Sequence, residues 1–374
     1  MARPVTIRKL TLHIGLPKTG SSAIQTWLSA NVDRLAEHGI TYADLAPNAK
    51  HGAITSGNGS ILRNLLRAKL TPDPVPLLDT LIDTYFAGRK EALISSELLV
   101  EAESERLDLL SGFLRDQRIE TVVIAFVRDI YPLARSFYAQ AIKRHGYTET
   151  FAHYVEKTFV DTQLAPVDRW SLAFDNLRVA NYSRLGSSLE AAVSKLFFEN
   201  RVTTESGAFR VVNRSLSKQE MDFLLRANSK HGGRYSRLLS DVLLDRHSSP
   251  PPTPEPPLTI IKLLEERFQP IVDRLNVRYL EPLAEAKIVV NTKGPTASDD
   301  DQSENPPDLE RVIDTLIRLA DKQGLEIQLL SARLAQARGD FGKAREHVNK
   351  ALALAPGNTG ARELERVLTD SGPA

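Results

Sequence analysis

The chain contains no cysteine among its 374 residues. This absence excludes disulfide frameworks, thiolate zinc sites and cysteine nucleophiles, and it fits a reducing cytoplasm. The sequence also lacks the ~20 consecutive apolar residues that a membrane-spanning helix needs, and its first residues are too polar for a secretion signal. We therefore expect a cytoplasmic protein without a transmembrane segment.

A charge excess of either sign is lacking too. The 48 Lys and Arg residues nearly balance the 47 Asp and Glu residues, which leaves a formal net charge of +1. Such a surface gives no general attraction to nucleic acid, so we expect no nucleic-acid partner and only a local anion site. The length and the 42% hydrophobic content allow one core of about 200–300 residues and a smaller module.

Short apolar runs alternate with segments of helical spacing through the first two thirds of the chain. This order predicts an α/β fold, with a parallel sheet covered by helices on both faces. Ligands of such sheets bind at the carboxyl ends of the strands. The predicted strands cover residues 10–14, 92–95, 121–127 and 177–182, and the predicted helices cover residues 21–38, 105–117, 130–144 and 187–198.

Composition then changes and divides the chain. Residues 248–257 are proline-rich and predict an extended surface excursion, after which a helix is expected to break at Pro270 and run towards Leu280. Residues 292–307 collect Gly, Pro, Ser and acidic residues, as is typical of a flexible linker. We therefore predict an α/β domain over 1–291 and a small all-α module over 308–370.

The segment from Ala332 to Pro356 resembles one tetratricopeptide repeat, because small and aromatic residues recur at the expected offsets. The match is partial, since Gln328 stands where the repeat has a tryptophan. A single repeat does not normally bury its faces alone, which suggests that flanking helices cap it or that it docks on a protein partner. The alternative is a plain C-terminal helical hairpin.

The loop after the first strand is dense in groups that bind anions. Leu16-Pro-Lys-Thr-Gly-Ser-Ser22 joins a strand to a helix, whose first N–H groups and dipole attract phosphate. Lys18 adds a cation, Gly20 allows close approach of the backbone, and Thr19, Ser21 and Ser22 supply hydroxyl donors. The loop is not a Walker A motif, because the lysine precedes the second glycine instead of following it.

Lys18-Thr-Gly-Ser-Ser22, followed by Trp27-Leu28, resembles the 5′-phosphosulfate loop of the sulfotransferases that use 3′-phosphoadenosine 5′-phosphosulfate. Arg128 at the end of a buried strand, with Ser136 eight residues later in a helix, is similar to the 3′-phosphate site of that family. The resemblance is to the bacterial type and covers about residues 8–290. It departs from the family pattern at Asp129-Ile130, where members often have Asn-Pro.

Two shorter stretches add to the resemblance. Asn181-Tyr-Ser-Arg-Leu185 is similar to a Tyr-x-x-Leu stretch of many members, and Val212 to Ser217 looks like a segment of bacterial members. In that second stretch, Arg214 is a further candidate for the 3′-phosphate. The resemblance as a whole implies a P-loop-like sheet.

The family's chemistry implies sulfuryl transfer from 3′-phosphoadenosine 5′-phosphosulfate to an acceptor hydroxyl, with no metal. Lys18 is then the donor to the bridging oxygen, and a side-chain base takes the acceptor's proton. Glu97 lies where members place a catalytic His or Glu; its alternative role is to cap the turn after Ser95-Ser96. His51 in a Gly-rich loop is the second candidate base, whereas His13 within the first strand is expected to be structural.

The acceptor and two other functions stay open. A glutamate base favours a carbohydrate or glycolipid hydroxyl, as in saccharide-modifying members, but this fold type hosts small-molecule acceptors as well. The enzyme alternative is a P-loop nucleotide kinase, which requires magnesium and a Walker lysine. The non-enzyme alternative is a helical-repeat scaffold with a degenerate nucleotide fold.

Overall fold

The computed structural model describes residues 7–43, 57–67, 75–185, 189–202, 216–231, 233, 236–244, 256–280, 286–291 and 309–370. These residues form an α/β structure, which confirms the predicted class. Two compact units divide the chain. The first comprises Met1–Tyr138, Glu149–Arg214 and Pro252–Ala297, and the second comprises Ala139–Thr148, Ser215–Pro251 and Ser298–Ala374.

Within the described residues the first unit contains one five-stranded sheet, in the order β2-β3-β1-β4-β5. Every neighbouring pair of strands is parallel. The strands are β1 (Arg8–Ile14), β2 (Ile40–Thr41), β3 (Glu91–Ser96), β4 (Ile119–Val127) and β5 (Leu177–Asn181). The sequence pattern predicted four of them, and it missed β2 because two residues are too few to show a period.

Helices connect these strands, as parallel pairing requires. They are α1 (Ser21–Ala30), α2 (Val32–Glu37), α3 (Ser60–Arg67), α4 (Val75–Phe86), α5 (Ser104–Asp116), α6 (Ile130–His145), α7 (Phe151–Lys157), α8 (Leu164–Ala173) and α9 (Leu189–Phe198). Further along the chain come α10 (Lys218–His231), α11 (Ser236–Leu244) and α12 (Leu258–Leu275).

The central strands are buried on both faces. One set of alternating residues, which includes Leu93, Ile124 and Phe126, packs with the apolar side of α1 and with α9. The residues between them, such as Ile94 and Ala125, point the other way and are equally buried. Continuous apolar runs are therefore required, and their burial fixes the sheet in the middle of its unit.

Two helix boundaries differ from the predictions. The helix predicted over 21–38 is interrupted at Asn31, whose side chain donates to the carbonyl oxygen of Trp27 and competes with the helical pattern. The break predicted at Pro270 is wrong, because α12 continues through it. Phe268 and Val272 are both buried there, and their packing holds the helix across the proline.

The second unit ends in three helices, α13 (Leu309–Ala337), α14 (Phe341–Leu354) and α15 (Thr359–Asp370). Small residues allow α13 and α14 to approach closely, since Ala332 and Ala344 are both fully buried. The side-chain oxygen of Gln328 accepts a 2.8 Å hydrogen bond from His347 Nδ1 between the same helices. The core of this helical cluster consists of Ala332, Ala335, Ala344, Val348, Leu364 and Leu368.

Two predicted segments cannot be compared with the structure. Residues 248–255 of the proline-rich stretch lie outside the described residues, as does the whole predicted linker over 292–307. Among the helices that the structure describes, none is long and apolar enough to cross a membrane.

Candidate functional site

The carboxyl ends of four neighbouring strands meet at one edge of the sheet. Ile14, the last residue of β1, pairs with Ser96 of β3 and lies opposite Ala125 of β4. Val127 of β4 pairs with the last residue of β5. The residues that directly follow these strands are Gly15, Glu97, Arg128 and Tyr182. The loop after β1, Glu97 after β3 and Arg128 after β4, which were all predicted to belong to the site, therefore lie at the same edge.

The loop between β1 and α1 is held by its own hydroxyl groups. Thr19 is fully buried and donates to the carbonyl oxygen of Leu16 at 2.7 Å, and Ser21 donates to the same oxygen at 3.3 Å. Lys18 and Gly20 both have positive φ angles, of 67° and 82°. Each hydroxyl has a single proton, and Thr19 and Ser21 both use it in these bonds to Leu16. The two side chains therefore hold the shape of the loop.

The start of α1 has no side-chain cap in the described structure. The N–H groups of Ala23 and Ile24 bond to the carbonyl oxygen of Gly20. The N–H groups before them, at the very start of the helix, point out of its N-terminus, where the helix dipole adds positive potential. This end of the helix therefore suits an anion.

Gly20 makes a close contact that no other residue permits. A Cβ atom at this position would lie 2.6 Å from Cε2 of Tyr182, and its φ of +82° disfavours any residue with a side chain. The ring of Tyr182 thus forms a wall directly against the loop. The sequence indicated Tyr182 only through a short Tyr-x-x-Leu similarity.

Glu97 lies directly beside the loop. The Cβ that Gly15 lacks would come within 3.1 Å of the Glu97 Cγ, so the glycine makes room for this side chain. The Glu97 carboxylate accepts a hydrogen bond from the Ser22 side chain and feels the charge of Lys18. Ser96 caps the following turn by accepting from the N–H of Leu98 at 3.2 Å, so Glu97 is not the cap.

The surroundings of Glu97 change its acidity. Burial of the carboxyl group raises its pKa above the ordinary value, while Lys18 and the Ser22 hydrogen bond act in the opposite direction. The side chain keeps an exposed surface, so a solute can reach it. A reachable carboxylate with a raised pKa is suited to the role of general base.

Arg128 ties the end of β4 to the loop. Its Nη1 donates to the carbonyl oxygen of Lys18 at 2.9 Å, and its guanidinium lies 5.5 Å from the centre of the Tyr182 ring. Burial lowers the Arg128 pKa, while Tyr182 and Asp129 raise it. An arginine remains charged under such shifts, so the group is a partly buried cation.

Gln163 fixes the main chain of Arg128. Its side-chain oxygen accepts from the Arg128 N–H at 2.5 Å, and its side-chain nitrogen donates to the Arg128 carbonyl oxygen at 3.0 Å. Gln163 is fully buried at the start of α8, where Asp161 accepts from its N–H. These two hydrogen bonds join residues that are 35 positions apart, and the local sequence pattern does not predict them.

Asp129 stabilises the turn that departs from the family pattern. The buried carboxylate accepts from Asn181 Nδ2 at 3.0 Å and from the Val289 N–H at 3.1 Å. Its own N–H donates to the hydroxyl oxygen of Ser183 at 3.1 Å. These contacts define the turn between β4 and α6 without the Asn-Pro pair.

One predicted site residue is not joined to this cluster, and two others lie outside the described residues. Ser136 lies in the second turn of α6 and is half-buried, and no hydrogen bond links it to Arg128 in the described structure. His51 and Arg214 lie outside the described residues. The loop, Glu97 and Arg128 are therefore the parts of the predicted site whose arrangement is visible.

His13 has the structural environment that its strand position predicts. The ring is fully buried against Phe126 and Phe197 and shares a 2.8 Å hydrogen bond with Ser95. Burial lowers its pKa to about 3. The imidazole is consequently neutral in the folded protein and does not reach the site.

Gln25 is a buried polar group that no sequence motif marks. It lies on α1 one turn after Ser22 and is 1% exposed. Neither atom of its amide has a hydrogen-bond partner among the described residues. A Cβ on Gly57 would come within 3.1 Å of its Cδ. The amide thus lies beneath Gly57, which bridges to Ser96 just before Glu97.

Comparisons with known proteins add no relative: no protein-family model, curated protein or solved structure matches the chain. Within the described residues, no group of three or more His, Asp or Glu side chains could hold a metal ion. The function therefore has to be argued from the site itself. Its chemistry combines an anion-binding loop, two cations and one carboxylate with a raised pKa.

Proposed function

We propose that this protein is a sulfotransferase, which transfers a sulfuryl group from 3′-phosphoadenosine 5′-phosphosulfate to an acceptor hydroxyl. One observation carries the proposal. Lys18 and Ser22 of the loop, Glu97 after β3 and Arg128 after β4 form one contact network at the carboxyl edge of the sheet. Those positions are the ones that the family resemblance assigns to the two phosphate sites and the base.

The 5′ side of the donor fits the loop. The N-terminal N–H groups of α1 and the Lys18 ammonium would bind the 5′-phosphosulfate, where negative charge grows on the bridging oxygen as the S–O bond breaks. The hydroxyls of Thr19 and Ser21 keep the loop in place through Leu16. They would contact the donor directly only by exchanging those bonds. The proposed site is P-loop-like, but its lysine precedes the second glycine of the loop instead of following it as in a Walker A motif.

Arg128 is assigned the 3′-phosphate. A partly buried guanidinium can bind a phosphate in bidentate geometry, and Tyr182 and Gln163 hold this one in a fixed position. Ser136 belongs to this half by resemblance, from the helix that follows. The two halves contact each other through the Arg128–Lys18 hydrogen bond.

Glu97 is assigned the role of general base. The acceptor oxygen attacks sulfur in line with the leaving phosphate, its proton passes to Glu97, and 3′-phosphoadenosine 5′-phosphate leaves. The raised pKa of Glu97 makes it a stronger base than an ordinary glutamate. Because saccharide-modifying members use a glutamate here, we favour a carbohydrate or glycolipid acceptor.

Domain organisation follows the same proposal. Residues 1–291 would form the catalytic domain, and residues 308–370 would form the tetratricopeptide-like module that recruits a protein partner. The transfer itself requires no metal.

Calorimetry on the full chain tests the proposal. We expect metal-free binding of 3′-phosphoadenosine 5′-phosphate and weaker binding of ATP, whether or not magnesium is present. A preference for magnesium-ATP would instead favour a nucleotide kinase. Silence with both nucleotides would favour the non-catalytic scaffold.

A further inference from the structure

The helix α13 carries an exposed apolar stripe. Four of its large apolar residues are open to solvent: Leu316 (49%), Ile327 (59%), Leu330 (66%) and Leu334 (52%). α11 also contacts α13, yet these four residues stay exposed. Contiguous apolar surface of this kind marks an interaction site more often than a solvated face.

The stripe has the spacing of a coiled-coil seam. Its positions follow one another at alternating steps of four and three residues, which is the 3.5-residue period of heptads. In order they are Leu316, Ala320, Gln323, Ile327, Leu330, Leu334 and Ala337. Gln323 is the single polar residue in this series, so the seam is apolar over nearly its whole length.

This seam is not the face that packs within the chain. Ala332 and Ala335 are the α13 residues buried against α14. At about 100° per residue, Leu330 and Leu334 lie roughly half a turn away from Ala332 on the helix circumference. Among the described residues, packing on α14 therefore leaves the large apolar residues of the seam exposed.

We propose that a second copy of this chain covers the seam, through an antiparallel pair of α13 helices related by a two-fold axis. In such a pair, Ile327 of each copy packs beside Leu330 of the other. Going outwards, Leu334 meets Gln323 and Ala320 meets Ala337. A symmetric contact of this kind closes on itself and gives a dimer, not a filament.

Charge decides the direction of the pair. Glu326 and Arg333 flank the seam, are both exposed and make no ion pair within the described part of the chain. The antiparallel register places Glu326 of one copy beside Arg333 of the other, twice by symmetry. A parallel register would instead place Arg333 beside Arg338 of the other copy, which is repulsive.

Sedimentation velocity on the full chain tests the dimer. We expect a dimer that dissociates on dilution, and an Ile327→Glu/Leu330→Glu variant that needs at least about tenfold higher concentration to associate. Leu172→Glu is the matched control, because Leu172 is 75% exposed on α8 and is not one of the seam residues. A wild-type chain that stays monomeric, or a double variant that associates like the wild type, would overturn the proposal.

Two further measurements test the direction. Glu326→Arg should weaken association, and adding Arg333→Glu should restore it, which a parallel pair would not do. Because the chain has no cysteine, disulfide cross-linking of single-cysteine variants also reports contacts without background from native thiols. A mixture of I327C and L330C should give mainly the mixed disulfide. Efficient cross-linking of L330C with itself would show a parallel pair and contradict the register.

Discussion

The guanidinium of Arg128 donates a hydrogen bond to the main-chain carbonyl oxygen of Lys18 across 2.9 Å. The two residues are 110 positions apart in the chain and follow neighbouring strands, β4 and β1. Lys18 has a positive φ, so this bond also supports an uncommon backbone conformation. The two proposed phosphate sites are therefore parts of one structure.

The first prediction concerns the two cations. Lys18→Ala and Arg128→Ala should each weaken binding of 3′-phosphoadenosine 5′-phosphate by about 10- to 100-fold, the value of one charge-assisted hydrogen bond of roughly 1.5–3 kcal/mol. Isothermal titration calorimetry measures this directly. Arg201→Ala is the control, because Arg201 pairs with Glu91 at the opposite edge of the sheet. Wild-type affinity in both site variants would contradict the assignment.

The second prediction concerns Glu97. Since a base must be ionised to act, the transfer rate should rise with pH through the raised pKa of Glu97, and Glu97→Gln should abolish that rise together with most of the activity. Ser22→Ala removes a hydrogen bond that lowers this pKa, so its rate profile should shift to higher pH. An unchanged profile in Ser22→Ala would argue against Glu97 as the base.

The Glu97→Gln variant also separates a loss of catalysis from a loss of folding. When the pKa of a carboxyl group is raised in the folded state, ionisation of that group lowers the protein's free energy of unfolding. At neutral pH its charged form therefore opposes folding. Glu97→Gln removes that charge. Its free energy of unfolding at pH 7 should therefore equal or exceed that of the wild type, as urea denaturation would show. A marked destabilisation would mean that lost activity reports misfolding.

The third prediction concerns Gly20. Gly20→Ala should destabilise the protein, because a Cβ would meet the Tyr182 ring at 2.6 Å and φ is +82°. Gly39→Ala is the matched control, since Gly39 has a similar φ of +77° but no atom within 4 Å of its Cβ position. The control isolates the backbone cost of about 1–2 kcal/mol. Equal losses in thermal unfolding would remove the argument for a tight Tyr182 contact.

Much of the fold followed from the sequence because it depends on local patterns. Short apolar runs predicted β1, β3, β4 and β5. β2 was missed because its two residues show no period. The helix through Pro270 was predicted wrongly, because buried neighbours outweigh the cost of a proline there.

The site was predictable only where it follows strand ends. Lys18, Glu97 and Arg128 could be placed at one edge because parallel strands put their carboxyl ends together. Gln163 and Asp129 could not, because their roles depend on partners 35 and 52 residues away. The burial of the Gln25 amide could not be predicted either, because its position one turn after Ser22 does not indicate that Gly57 packs over it.

The fourth prediction concerns His13. Its folded-state pKa of about 3 lies below the ordinary 6.5, so folding resists its protonation. The stability this provides is complete above pH 6.5 and is lost as pH falls towards 3. Between pH 7 and 5 the wild type should lose about 2 kcal/mol more than His13→Gln. Parallel losses in urea unfolding of both proteins would contradict a buried neutral imidazole.

The central claim is a donor site with two phosphate halves, and a nucleotide comparison tests it most directly. Calorimetry should compare 3′-phosphoadenosine 5′-phosphate with AMP, which lacks the 3′-phosphate, in wild type, Arg128→Ala and Lys18→Ala. We predict that Arg128→Ala weakens binding of the bisphosphate much more than binding of AMP, whereas Lys18→Ala weakens both to a similar degree. Equal losses for both nucleotides in Arg128→Ala, or no binding of the bisphosphate to wild type, would contradict the account.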